Sequence, residues 1–147
     1  MAKGILFDFY RTLYNPDENH LNDNAIPLLD ELKRENFQLG LLSRKGDFDR
    51  DSLISKLGLT KYFQKIKFVD DTKTADDIQD FLDSFSLTAK EVVLVGDRVK
   101  SEIKAGNQAG ILTIWYRNGK FANEFPESLD EKPNYIITDL MQVLDAV

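Results

Sequence analysis

The chain contains no cysteine, one histidine and one tryptophan. The missing thiols exclude disulfides and thiolate metal sites and leave the redox compartment open. Basic residues are also in deficit: 19 Lys and Arg stand against 25 Asp and Glu, a net charge of −6. No run of Lys or Arg exceeds two residues. Non-specific nucleic-acid binding needs cations that neutralise phosphates, so no nucleic-acid partner is expected. No stretch approaches the roughly 18 apolar residues of a membrane helix, so no membrane association is expected. The N-terminus carries one lysine and a short apolar run that ends at Asp8. That is too short for a signal peptide, which makes the cytoplasm the expected location. Repeats and low-complexity segments are absent. What remains is a chain of 147 residues, 42% hydrophobic and 30% charged. Those values suit one globular domain over residues 1–147, long enough to bury about two thirds of its unfolded surface.

Short apolar runs alternate with helical patterns. GILFD, residues 4–8, reads as a strand buried on both faces. Residues 10–22 hold Asn, Pro, Asp, Glu and His and read as a loop or small flap. A helix follows with Ile26, Leu29 and Leu32 on one face and Asp23 or Asn24 as its N-cap. FQLGLLS, residues 37–43, is a second strand. The next helix turns Phe48, Leu53, Ile54 and Leu57 inward and stops at Gly58. KIKFVDD is a third strand. A helix opens at Thr74 with Asp77 three residues on, close to a capping box. EVVLVGD is a fourth strand, KSEIKAGNQAG a short helix, and ILTIWY a fifth strand. Residues 117–134 read as a loop, and YIITDLMQVLDAV as a last strand and terminal helix. The alternation predicts an α/β layer fold with a mainly parallel sheet of five to six strands and helices on both faces.

Ligands of such sheets bind beyond the carboxyl ends of the strands. Asp8, Ser43 and Asp97 end strands, and Lys73 follows a strand by a few residues. Any one of them is ordinary: a strand-end Asp is often a cap or turn residue, and a lone lysine is usually solvated. Together, two carboxylates, a hydroxyl and an ammonium suit phosphoryl transfer. Asp8 can attack phosphorus. Asp8 and Asp97 can ligate a hard divalent cation. Ser43 and Lys73 can bind the equatorial oxygens.

In order, FDFYRTLY, LLSR, DDTKTADDI and VLVGDRVKSEIKAGNQAG resemble the four motifs of the haloacid dehalogenase superfamily, most of whose members are phosphatases acting through an aspartyl-phosphate. The resemblance implies a three-layer Rossmann-like core with Asp8 as nucleophile and Mg²⁺ ligand. Tyr10 would lend its backbone carbonyl to the metal, and Asp97 would complete the metal site. Phosphate would be bound by Ser43, Arg44 and Lys73 with Phe9 and Tyr10 of the first loop. Thr12 would brace that loop, and Glu102 would stand as a further metal partner.

Three positions depart from the family pattern. Tyr10 replaces the aspartate that acts as general acid and base. Arg11 replaces a common glycine, and Glu102 replaces Asp. A positioned acid or base is worth about 10²–10⁴ in rate. Its loss hurts most when the leaving group is an alkoxide, less for phenolic or acyl phosphates. The superfamily's namesake dehalogenases share this Tyr, but they carry a helical cap between the first two motifs. Here Asp8 and Ser43 are 35 positions apart, too few for an inserted cap. The expectation is a capless, Mg²⁺-dependent phosphohydrolase, slow on alkyl phosphomonoesters. Its substrate would be a phosphorylated small molecule or macromolecule, with a homo-oligomer as a way to cover the open site. The alternatives are a catalytically weakened binding or regulatory domain and, behind it, a dehalogenase. A signalling receiver fits poorly, because its acidic pair follows the first strand and its phospho-acceptor the third. His20, in the flap, is a weak candidate for a replacement proton donor.

Overall fold

A computed structural model describes residues 1–147. Six strands form one parallel sheet: β1 (Gly4–Phe7), β4 (Gln38–Arg44), β5 (Lys65–Val69), β6 (Val92–Gly96), β7 (Leu112–Tyr116) and β8 (Tyr135–Ile137), in the order β5-β4-β1-β6-β7-β8. The two remaining strands, β2 (Tyr14–Asn15) and β3 (His20–Leu21), pair as a small antiparallel hairpin in the flap. Between β1 and β4 the chain holds only this hairpin and the helix α1 (Ala25–Arg34).

The apolar run of β1 has two faces to satisfy. Ile5 and Phe7 enter a core of 22 buried residues, while Leu6 enters a core of 10 on the opposite face. The same parity holds for Leu39 and Leu41 against Leu42, and for Val93 and Val95 against Leu94. Two-sided burial of this kind removes the polar alternation that one-sided strands show. The larger core lies under α1, and the smaller one under α3 (Ala75–Phe85) and α4 (Lys104–Gln108). Gly40 lets α3 approach: a Cβ there would lie 2.7 Å from the Phe81 ring.

Local signals behave as their chemistry dictates, with four exceptions. The Thr74–Asp77 capping box forms, and Gly58 takes the left-handed conformation that ends α2 (Arg50–Lys56). Asn24 stands at the α1 N-cap but is left-handed and makes no cap bond, because its amide is drawn to the Asp139 carboxylate (3.0 Å). Phe48 is exposed rather than inward, since it precedes the Asp49 cap and lies outside α2. The segment before α4 is a turn of π-helix, Val99–Ile103. The terminal helix is a 3₁₀ run, Leu140–Asp145, opened by an Asp139–Gln142 capping box. No helix is long and apolar enough to cross a membrane.

Candidate active site

Register brings the chemistry together. Phe7 of β1 is level with Leu41 of β4 and Val95 of β6. Asp8, Ser43 and Asp97 therefore leave the same edge of three adjacent strands. The Asp8 amide donates to Val95 O (3.0 Å), which holds the loop against β6. Thr12 Oγ1 donates to Asp8 Oδ2 (3.2 Å), and Asn22 Nδ2 donates to Thr12 O (2.8 Å), tying the loop to the flap. Arg11 sits between them at φ 66, the left-handed conformation that a glycine adopts without strain.

Lys73 reaches in from the start of α3. Its Nζ donates to Asp8 Oδ1 (2.5 Å) and to Glu102 Oε1 (2.8 Å), and the residue is 5% exposed. Glu102 is delivered by the π-turn, in which the Ile103 amide reaches back to Arg98 O (3.3 Å). Gly96 makes room for it: a Cβ there would lie 2.7 Å from Glu102 Cβ and Cγ. Trp115 Nε1 donates to Asp97 O (2.9 Å) and fixes the backbone of the last acid.

Three carboxylates share one ammonium, so the charges are unequal. Burial opposes ionisation of Asp8, yet Lys73 and the neighbouring hydrogen bonds hold it below its ordinary value. Burial pushes Asp97 up to about 10, reinforced by the charges of Glu102 and Asp8. Burial pushes Glu102 up to about 7 against the pull of Lys73. Burial alone would lower Lys73, but Asp8 and Glu102 raise it.

Ligand oxygens of Asp8, Asp97 and Glu102 lie within 4.8 Å of one another. Asp97 Oδ2 and Glu102 Oε2 are buried without a hydrogen-bond partner. Buried acceptors left unpaired are costly, and hard oxygen donors at this spacing fit a small divalent cation. The three carboxylates could together hold such an ion.

Above this floor opens a cavity of about 360 Å³. Its rim carries Arg11, Arg44, Arg50, Arg98 and Lys120 against one exposed acid, Asp47. Phe121 lies under Arg98, whose guanidinium carbon is 4.2 Å from the ring centre. Three expected site residues stand differently from their assigned parts. Ser43 is fully buried; its Oγ donates to Arg44 O (2.8 Å) and accepts from Arg50 Nη1 (3.3 Å). Phe9 has its ring in the core, stacked on Tyr14, so only its backbone can meet a ligand. His20 is exposed, pairs with Glu18 (2.7 Å), and lines a different surface hollow with Asn22 and Asp139. Asp70, the residue after β5, pairs with Lys45 (3.1 Å).

Arg50 was not singled out by the sequence. Its guanidinium carbon lies 4.1 Å over the Tyr10 ring. It opens α2 just after the Asp49 cap, a position with no motif of its own. The one available signal was its place at the start of the helix that follows β4.

A parallel sheet with a buried Asp–Lys–acid cluster at its carboxyl edge defines a core of the Rossmann-like class. The chain belongs to the haloacid dehalogenase-like hydrolases, whose sequence profile matches residues 5–116. It is similar to the glyceraldehyde 3-phosphate phosphatase of Pyrococcus furiosus, with 27% identity over 79% of this chain and 50% of that protein. The chain thus spans about half the length of the curated relatives it matches. It shares its fold with a haloacid dehalogenase-like hydrolase from Streptococcus pneumoniae at TM-score 0.77 and 17% identity, over 99% of this chain and 98% of the other. The L-2-haloacid dehalogenase of Xanthobacter autotrophicus superposes at TM-score 0.75 and 14% identity, over 97% of each chain.

Proposed function

We propose that this chain is a Mg²⁺-dependent phosphohydrolase working through an aspartyl-phosphate on Asp8, with low activity on alkyl phosphomonoesters. The observation that carries it is the pair of orphaned oxygens on Asp97 and Glu102 beside an Asp8 carboxylate held ionised by Lys73. A site that holds no cation would leave both of these buried oxygens unpaired, which is costly. The phosphatase relatives support the same chemistry.

Asp8 attacks phosphorus with a carboxylate oxygen, while Thr12 and Lys73 hold the carboxylate in place, one on each oxygen. Lys73 also lends positive charge to the phosphoryl oxygens. When bound, the cation neutralises charge on the transferring group. Tyr10 offers no carboxylate to protonate an alkoxide or to activate water, so both steps depend on the intrinsic quality of the leaving group and of water.

Release of p-nitrophenol from p-nitrophenyl phosphate tests this. Turnover is expected with Mg²⁺, to be lost with EDTA and in Asp8→Asn. Equal rates for Asp8→Asn and the parent protein would refute it. Tyr10 and Arg11 favour a second reading, a phosphate-binding domain without turnover. Magnesium-dependent phosphate binding with no product release would select that one.

A further inference from the structure

We propose that the site is built for an anionic leaving group: its substrate is a phosphoric anhydride, and Arg50, held over Tyr10, receives the departing carboxylate or phosphate. This rests on the phosphohydrolase reading and names its substrate class. Two positions beyond the nucleophile, where a proton donor would face the leaving group, the chain offers an aromatic ring with a guanidinium on it. A proton donor has been exchanged for a fixed positive charge. An alkoxide needs the proton, but a carboxylate or phosphate leaves unprotonated near neutral pH. A guanidinium stays charged and can give either anion a charge-assisted hydrogen bond.

The guanidinium is placed, not merely present. Nη1 donates to Arg44 O (3.0 Å) and Ser43 Oγ (3.3 Å), which anchors one edge beside the phosphoryl site. Nε is buried and has no partner. Gly46, at φ 70, gives the group its room, since a Cβ there would lie 2.6 Å from Nε. Arg11, Arg44, Arg98 and Lys120 surround the same cavity, with Arg11 paired to Asp17 and Arg98 to Glu124, so a chain of net charge −6 still presents a cationic rim at this mouth.

In the first step an Asp8 oxygen bonds to phosphorus as the bridging P–O bond breaks. The electron pair leaves on the carboxylate or phosphate, and no proton moves. Water oxygen then bonds to phosphorus, the Asp8–phosphorus bond breaks with its pair returning to Asp8, and the proton of water passes to the released phosphate or to solvent.

The test compares acetyl phosphate, inorganic pyrophosphate, p-nitrophenyl phosphate and glycerol 2-phosphate on the parent protein, Arg50→Gln, Arg50→Lys and Asp47→Asn, with melting curves to confirm folding. The expected result is a kcat/KM for acetyl phosphate, pyrophosphate or both about 10²-fold above that for glycerol 2-phosphate. Arg50→Gln should then lower the ratio of anhydride to p-nitrophenyl phosphate turnover by about 10- to 100-fold, the worth of a charged hydrogen bond. Arg50→Lys should recover part of it. The arm that responds tells an acyl phosphate from a diphosphate. An unchanged ratio in Arg50→Gln overturns the proposal, as does glycerol 2-phosphate turned over as fast as the anhydrides. So does alkyl-ester activity that vanishes in Asp47→Asn, which would make Asp47 the missing acid. In those cases Asp8-dependent release of p-nitrophenol leaves the phosphohydrolase reading standing. A protein that turns over none of the four compounds, or only a 2-haloacid, overturns both.

Discussion

Tyr10 and Asp97 show how much a single side chain can decide in this site. Tyr10 is half-buried, ringed by Tyr14, Phe48 and Arg50, and has no acidic group to offer. Restoring one with Tyr10→Asp should raise glycerol 2-phosphate turnover about tenfold or more, the lower part of what general acid–base catalysis supplies. Phosphate release measures it, and no gain would place the limit elsewhere. Asp97 and Glu102 give a pH dependence. In the cation-free protein they hold protons up to about pH 10 and 7, whereas in an unfolded chain they release them near 3.8 and 4.5. The folded state binds more protons in between, so their contribution is greatest at acid pH and is lost as pH rises through those values. Asp8 is lowered and Lys73 raised, and their contributions lie outside this window, below and above it. With EDTA the melting temperature should therefore fall from about pH 5 to 9, and the gain from Mg²⁺ should grow over the same range, because the ion displaces protons. A flat or rising profile in EDTA would contradict the assigned protonation.

Among the elements, the β6–π-turn unit is the most constrained. Gly96→Ala would drive a methyl into Glu102 and should cost about 1–3 kcal/mol by overpacking. Thermal melting would read the loss, with weaker Mg²⁺ binding beside it. Thr74→Ala removes the capping box one residue from Lys73 and should cost about 1 kcal/mol. The strands and most helices were legible because two-sided burial leaves continuous apolar runs and caps leave local signatures. So were Asp8 and Asp97, since strand ends in a parallel sheet share an edge, and Lys73 by its place after a strand; Glu102 came only from the family resemblance. The π-turn was not legible: it differs from an α-turn by one hydrogen-bond step, and nothing in VKSEI marks it. Phe48 misled because its apolar side chain fits a helical stripe, yet the Asp49 cap leaves it outside the helix and its ring goes to Tyr10. Arg50 was missed because its partners are a backbone carbonyl, a hydroxyl and an aromatic face, none of which sequence spacing reveals.

For the whole molecule, charge placement matters more than its sum. A chain of net −6 should repel anions, but the cationic mouth faces them first. Screening shortens the reach of such a field to about 8–10 Å at ordinary ionic strength. Raising salt from about 0.01 to 0.5 M should therefore lower kcat/KM for an anionic substrate several-fold more than kcat. Equal effects on both would show that steering plays no part. The sheet order has a consequence of another kind. β1 lies between β4 and β6, yet its partner Val92–Gly96 comes far later in the chain, with Gly4 paired to Val92, 88 positions on. As the polypeptide emerges from a ribosome, GILF must wait with one hydrogen-bonding side bare until Val92–Gly96 has been synthesised. A truncation ending before Val92 would leave that side bare for good and should be held by chaperones or precipitate.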